Sequence, residues 1–220
     1  MSVSSTTKKY RVKPVAEFEW ANEKLVRLEI SVGQKYHEAG RLKTVMNWAN
    51  KNFDQIVVVV LDTVQRYNMM FNGMEANVAY QQSREAGDQW IERNKDILGD
   101  ATIIRWDEIT NDAGFSDALQ KVHNLYDNSA LVKEEIDDAI QNVAQRRNID
   151  EAQSDFFRSL SQNYLIEEIA GTAVANRLYP GVCAYPGDLP GLWHVVNELP
   201  DAMLPEGLKT ARSIKLKIGN

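Results

Sequence analysis

Cysteine is nearly absent from this 220-residue chain, where Cys183 stands alone. A single thiol excludes an intramolecular disulfide and any zinc site built from several cysteines. Histidine is scarce as well. His37, His123 and His194 lie far apart and show no HExxH spacing, so no metal is expected. Long apolar runs are missing. The longest, IVVVVL at 56–61, is far too short to span a bilayer, and MSVSSTTKKYRVKP at the start has no apolar stretch of the secretory type. No membrane association and a cytoplasmic location are therefore expected. Neither GxGxxG nor GxxxxGK(S/T) occurs, and no GxSxG elbow surrounds Ser31, which removes the common nucleotide folds and the α/β-hydrolase motif. No cofactor is expected.

Excess positive charge is also lacking. The formal net charge is −6, which argues against strong general binding to nucleic acid. Basic residues gather at both ends (Lys8, Lys9, Arg11, Lys13, then Lys209, Arg212, Lys215, Lys217), and the plain reading of these is solvated tails.

What is present is ordinary for a globular protein, with 44% hydrophobic and 25% charged residues. Residues 1–15 are expected as a loose arm and 16–220 as a single α/β domain. LVRLEI, 25–30, reads as a strand. Leu42, Val45, Met46 and Ala49 have helical spacing, which predicts a helix over 36–52. IVVVVL is β-branched and unbroken, the pattern of a strand covered on both faces. Helices are predicted over 75–97, 115–126, 129–147 and 151–175, the last capped by Asp150, with strands at 102–106 and 181–186. The order is α/β: a Rossmann-like open, mostly parallel sheet with helices on both faces.

Such a sheet binds ligands at the carboxyl ends of its strands. Ser31, Asp62 and Tyr185 all end strands in this reading. Taken one at a time, each motif has a plain alternative. In ISVGQKYH, Ser31 is either a helix cap or a nucleophile. In NYLIEEIAG, Tyr164 and Glu168 lie four apart on one helix face, where they border a pocket or simply meet water. Glu167 falls on the outer face. In CAYPGDLPG, Tyr185-Pro186 either ends a strand in a turn or presents a hydroxyl as a proton relay.

Taken together, the order and spacing of these segments resemble the cyclodipeptide synthases over about residues 25–190. The resemblance rests on Ser31 with Gly33, Gln34 and Tyr36, on DTVQRYN at 62–68, on Tyr164 and Glu168 in YLIEE, and on Tyr185-Pro186. Of the two subgroups of that family, one has Asn and then Tyr-His, the other a variable residue and then Tyr-Pro. Gln34 with Tyr185-Pro186 resembles the second, the XYP subgroup; Tyr179-Pro180 is a competing pair. Two positions depart from the pattern: Glu29 stands where the family usually has Gly, and Ala170 where it often has Pro.

The resemblance implies a fold similar to the catalytic domain of class Ic aminoacyl-tRNA synthetases, the tyrosyl and tryptophanyl enzymes. It implies no ATP chemistry, and the chain has no HIGH or KMSKS motif. The implied activity joins two amino acids taken from two aminoacyl-tRNAs into a cyclic dipeptide (2,5-diketopiperazine) through an acyl-enzyme on Ser31. Tyr164, Glu168 and Tyr185 complete the implied catalytic set. Glu29, Gly33, Gln34, Tyr36, Asp62 and Pro186 are implied around the substrate, and Arg84, Arg93 and Lys95 against tRNA. A monomer is expected.

Overall fold

The structure, a computed structural model, describes residues 10–186 and 196–219. Its strands are β1 (Arg11–Val15), β2 (Leu25–Ser31), β3 (Gln55–Leu61), β4 (Thr102–Arg105), β5 (Val182–Tyr185) and β6 (Arg212–Gly219). Its α-helices are α1 (Ala39–Asn52), α2 (Arg66–Phe71), α3 (Ala76–Leu98), α4 (Trp106–Thr110), α5 (Phe115–Asn128), α6 (Ala130–Arg147) and α7 (Glu151–Leu178). The strands form one sheet in the order β1-β6-β5-β2-β3-β4, parallel except for β1 against β6. This is the mostly parallel α/β architecture expected. The chain steps outward from β2 to β3 to β4, then returns to lay β5 on the other side of β2. The gap between the ends of β2 and β5 is the topological switch point, where the fold opens a crevice.

Two apolar clusters cover the sheet. One packs Val26, Leu28 and Ile30 of β2 and Val58 and Val60 of β3 beneath α1 and Trp90 of α3. The other packs Val57, Val59 and Leu61 of β3 beneath the α4–α7 helices. β3 thus has both faces covered, as its unbroken apolar run requires. β2 differs. Its alternate residues Arg27, Glu29 and Ser31 are polar, yet all are buried. Alternation usually marks a half-exposed strand; here the polar side faces a crevice within the fold.

Several boundaries differ from the sequence reading. Residues 11–15, assigned to a loose arm, form β1, and 212–219, read as a basic tail, form β6. In β6 Ile214 and Leu216 are buried while Lys215 and Lys217 alternate with them on the other face, so the period-2 signal is masked by charge. Pro14 is tolerated because β1 is an edge strand, where no ladder partner needs its missing N–H. Lys8 and Lys9 lie outside the described residues. Trp106 starts α4 rather than ending a strand. Asp150 caps α7 as expected, its Oδ1 accepting from Gln153 N at 2.9 Å.

α7 packs closely against Trp106 of α4 through Gly171. A Cβ there would stand 2.2 Å from the Trp106 ring. We expect Gly171→Ala to force the indole or the helix aside and to cost at least about 1–3 kcal/mol, the usual range for overpacking; urea unfolding of the two proteins measures it.

Candidate active site

The sharp exit from β2 creates the site. Gln34 N donates to Ser31 O at 3.2 Å, closing a turn. Its third residue, Gly33, has φ +90°, which type II geometry needs and a side chain resists. The chain then enters a single 3-10 turn, Lys35–His37, before α1. His37 folds back over the turn. Ser31 N donates to His37 Nδ1 at 2.9 Å, so Nδ1 is the acceptor and Nε2 holds the proton. Trp90 Nε1 of α3 donates to His37 O at 3.0 Å and anchors the loop from behind. Burial lowers the His37 pKa to about 4, so the ring is neutral. It fixes the backbone of Ser31 and makes no bond to the hydroxyl.

The Ser31 hydroxyl instead meets Tyr185 at the end of β5. Ser31 Oγ lies 3.2 Å from Tyr185 Oη, which lies 2.9 Å from Tyr36 Oη. Parallel pairing of Leu28 with Ala184 brings the two strand ends side by side. Burial, then the neighbouring Tyr36, raises the Tyr185 phenol well above its usual range. Ser31, Tyr185 and Tyr36 thus form a chain of three hydroxyls in hydrogen-bond contact.

The opposite wall is α7. Tyr164 Oη donates to Glu168 Oε1 at 3.4 Å and accepts from Gln65 Nε2 at 3.1 Å. Gln65 is held in turn by Asn68 Nδ2 on its Oε1, at 3.0 Å. Burial, with the nearby Glu29 charge adding to it, raises the Glu168 pKa to about 8. The face of α7 is set by its neighbour Glu167, which is buried and not on the outer face as expected. Glu167 Oε1 accepts from Trp106 Nε1 and from Arg66 Nη1, both at 2.9 Å. Its Oε2 accepts from Tyr67 Oη at 2.9 Å and from Arg66 Nη2. Burial and the Glu167 charge push the Tyr67 phenol up to about 12.

These walls enclose a cavity of ≈ 520 Å³, of the size that holds small ligands. Ser31, Glu29, Gln34, Tyr36, Tyr164, Glu168 and Tyr185 all line it. Its far rim carries Arg146 and Arg147 at the end of α6. Other residues named from sequence do not reach it. Asp62 is fully buried and turned toward α3, where Oδ1 caps Thr63 N at 2.8 Å and Oδ2 pairs with Arg105. Both carboxylate oxygens have protein donors, and Asp62 does not line the cavity. Gly33 serves the turn, and Pro186 follows Tyr185 outside the lining. On α3, Arg93 makes a two-point contact with Glu38 at 2.6 and 3.3 Å, Lys95 pairs with Glu92 at 2.5 Å, and Arg84 is exposed. Sequence reasoning missed His37, Gln65 and Tyr67. Their signal was proximity to Ser31 and Asp62, but nothing in their spacing says which way they turn.

Among the described residues no group of three or more His, Cys, Asp or Glu could hold a metal ion, and no helix is long and apolar enough to cross a membrane.

No family model matches the sequence, and no curated protein matches it. Solved structures do match. A cyclodipeptide synthase (CDPS) from Fluoribacter dumoffii superposes with a TM-score of 0.83 at 22% identity, covering 96% of this chain and 99% of that one. One from Bacillus thermoamylovorans gives 0.75 at 13% identity, covering 96% and 97%. A Mycobacterium tuberculosis protein gives 0.70 at 10% identity, covering 96% and 95%; its structure is described as demonstrating that cyclodipeptide synthetases are related to type I tRNA-synthetases. This chain therefore has the fold of solved cyclodipeptide synthases, over nearly its whole length and nearly the whole of theirs.

Glu168 makes the site pH-sensitive. Its folded pKa lies above the ordinary 4.5, so its contribution to stability is complete below pH 4.5 and is lost as pH rises through about 8. Glu168→Gln cannot ionise. Thermal unfolding from pH 4 to 9 is expected to show the variant gaining on the wild type across that window, with the gap levelling above it.

Proposed function

We propose that the protein is a tRNA-dependent cyclodipeptide synthase of the Tyr-Pro subgroup. The observation that carries the reading is the shared cavity: the Ser31 hydroxyl and its Tyr185 partner on one wall, Tyr164 and Glu168 on the other. A nucleophile facing a carboxylate suits an ester whose acyl group bears an ammonium.

Ser31 Oγ attacks the ester carbonyl of the first aminoacyl-tRNA. The Oγ–acyl bond forms, the bond to the terminal ribose oxygen breaks, and the serine proton leaves through the Tyr185 hydroxyl toward that oxygen. Glu168, as carboxylate, and the Tyr164 hydroxyl hold the acyl ammonium. Glu168 takes a proton from that ammonium, and the freed amine attacks the ester carbonyl of a second aminoacyl-tRNA; the amide bond forms, the bond to the terminal ribose oxygen breaks with a proton passing to that oxygen, and a dipeptide is left on Ser31. The new free amine closes on the Ser31 ester, the ring leaves, and Tyr185 returns a proton to Oγ. The donor ester is already activated, and ring closure is intramolecular, so positioning supplies much of the rate. Gln34 and Tyr36 shape the cavity around the serine.

The tRNA surface is small on this reading. Arg93 and Lys95 are paired with carboxylates, and α3 carries as many acids as bases or more, so Arg146 and Arg147 at the cavity rim supplement Arg84 as phosphate contacts.

Mass spectrometry of medium from expressing cells tests the activity. A diketopiperazine is expected with the wild type and none with Ser31→Ala; production by the alanine variant would overturn the serine chemistry. A second reading is a relative that binds aminoacyl-tRNA without catalysis, favoured by the buried Glu29 beside the nucleophile. It predicts tRNA binding with no acyl group ever found on Ser31. For the RNA contact, Arg146→Ala with Arg147→Ala should weaken aminoacyl-tRNA binding about tenfold and make the salt dependence shallower, in filter binding across 50–200 mM salt.

A further inference from the structure

The floor of the cavity contains a polar pair that the proposed chemistry does not use. Arg27, Glu29 and Ser31 follow one another at alternate positions of β2 and share one face of the sheet. Glu29 is 4% exposed and lines the cavity, yet its Oε1 has no hydrogen-bond partner among the described residues. Arg27 is fully buried. Its Nη1 donates to Tyr179 O at 2.5 Å, while Nε and Nη2 have no partner among the described residues. Buried polar atoms are nearly always satisfied, so an unpaired carboxylate oxygen on a cavity wall is a place where a donor belongs.

Position and charge narrow what that donor is. Glu29 and Ser31 are two residues apart on an extended strand, about 6.6 Å at about 3.3 Å per residue. The side chain of an acyl group on Ser31 Oγ spans that distance in a few bonds. The α-ammonium is already met by Glu168 across the cavity. The Glu29 charge faces the Arg27 charge on its own strand, with the Cys183 thiol as a further hydrogen-bonding neighbour. Glu168 is the other ionisable group facing Glu29 from the helices, and the incoming ammonium offsets it. With Arg27 balancing Glu29 and the ammonium balancing Glu168, a side chain with its own charge would leave the buried floor unbalanced. A purely apolar side chain would leave Oε1 unpaired.

We propose that Glu29 selects the first amino acid, accepting a hydrogen bond from a side chain that is uncharged but carries a donor: a hydroxyl, a carboxamide or a ring N–H. Arg27 is a positioning residue: its charge on the same strand face opposes the effect of burial on Glu29. The inference rests on the synthase reading and deepens it by naming the substrate class. A site built to pair a substrate donor discriminates strongly against analogues that lack it, because the protein group is then left bare.

The test uses the full chain and a total tRNA pool charged with the proteinogenic amino acids, with the acyl group on Ser31 identified by acid quench and peptide mass. The wild type is expected to carry Ser, Thr, Asn, Gln, Tyr, Trp or neutral His. The double variant Arg27→Met/Glu29→Leu replaces both with apolar residues of similar bulk, so neither buried polar group is left facing the loss of the other. It should shift the ratio of polar to aliphatic acyl groups at least tenfold toward Leu, Met or Phe. An aliphatic, Phe or charged acyl group on wild-type Ser31 overturns the inference while leaving the synthase reading intact. So does an equal loss across all amino acids in a folded double variant, which would make Glu29 a general ammonium ligand. No acyl group on wild-type Ser31 overturns the synthase reading itself. The wild-type arm needs no variant, so a double variant that fails to fold leaves the test decisive.

Discussion

Everything in the cavity depends on how α7 is seated against Trp106. The indole lies between two residues one helical turn apart. Gly171 lets its ring approach the helix backbone, and Glu167 takes its N–H. That grip sets both the depth and the rotation of α7. Once Glu167 faces Trp106 and Arg66, the next residue, Glu168, and the residue one turn earlier, Tyr164, must face the end of β2. The donors around Glu167 also bind α2 and the turn before it to α7, which fixes Gln65 and through it the Tyr164 hydroxyl. A carboxylate with this many donors is an unusually stiff joint, since moving it would leave several buried groups unpaired at once.

The two walls answer to different physics. The sheet wall carries hydroxyls: a serine and two phenols in contact, with a neutral imidazole behind. The helix wall and the floor hold the carboxyl groups. Burial acts on both, because it suppresses ionisation of the Tyr185 phenol and the imidazole and also raises the pKa values of Glu29 and Glu168. An ammonium entering such a place replaces lost water for the carboxylate and leaves the hydroxyl relay untouched.

Much of this was legible in the sequence, and the failures have a pattern. β3, α7 and its Asp150 cap could be read because continuous apolar runs and capping residues act locally. Strand ends put Ser31 and Tyr185 at one rim, helix periodicity put Tyr164 and Glu168 on one face, and the family resemblance joined these and Tyr36 into one site; all five line one cavity. Asp62 also ends a strand, but it turns to Arg105 and α3, and only a contact 43 residues away decides that. Glu167 was put outside because charge suggests water; its partners Arg66 and Trp106 come from distant segments. β1 and β6 were hidden because lysines and a proline interrupt their pattern, while the pairing that makes them strands joins the two ends of the sequence.

The alternation along β2 also guards the pairing of the sheet. A slip of one residue against β3 would turn Arg27, Glu29 and Ser31 toward Leu42, Met46 and Trp90, and push Leu28 and Ile30 into the cavity. Charged groups would enter an apolar layer with no partner, and apolar surface would line a polar space. Parallel strands joined through intervening helices pair slowly, which gives a misaligned intermediate time to persist. The polar face that lines the cavity thus also edits strand register, and a chain that folds wrongly here is one that has already turned Ser31 away from the cavity.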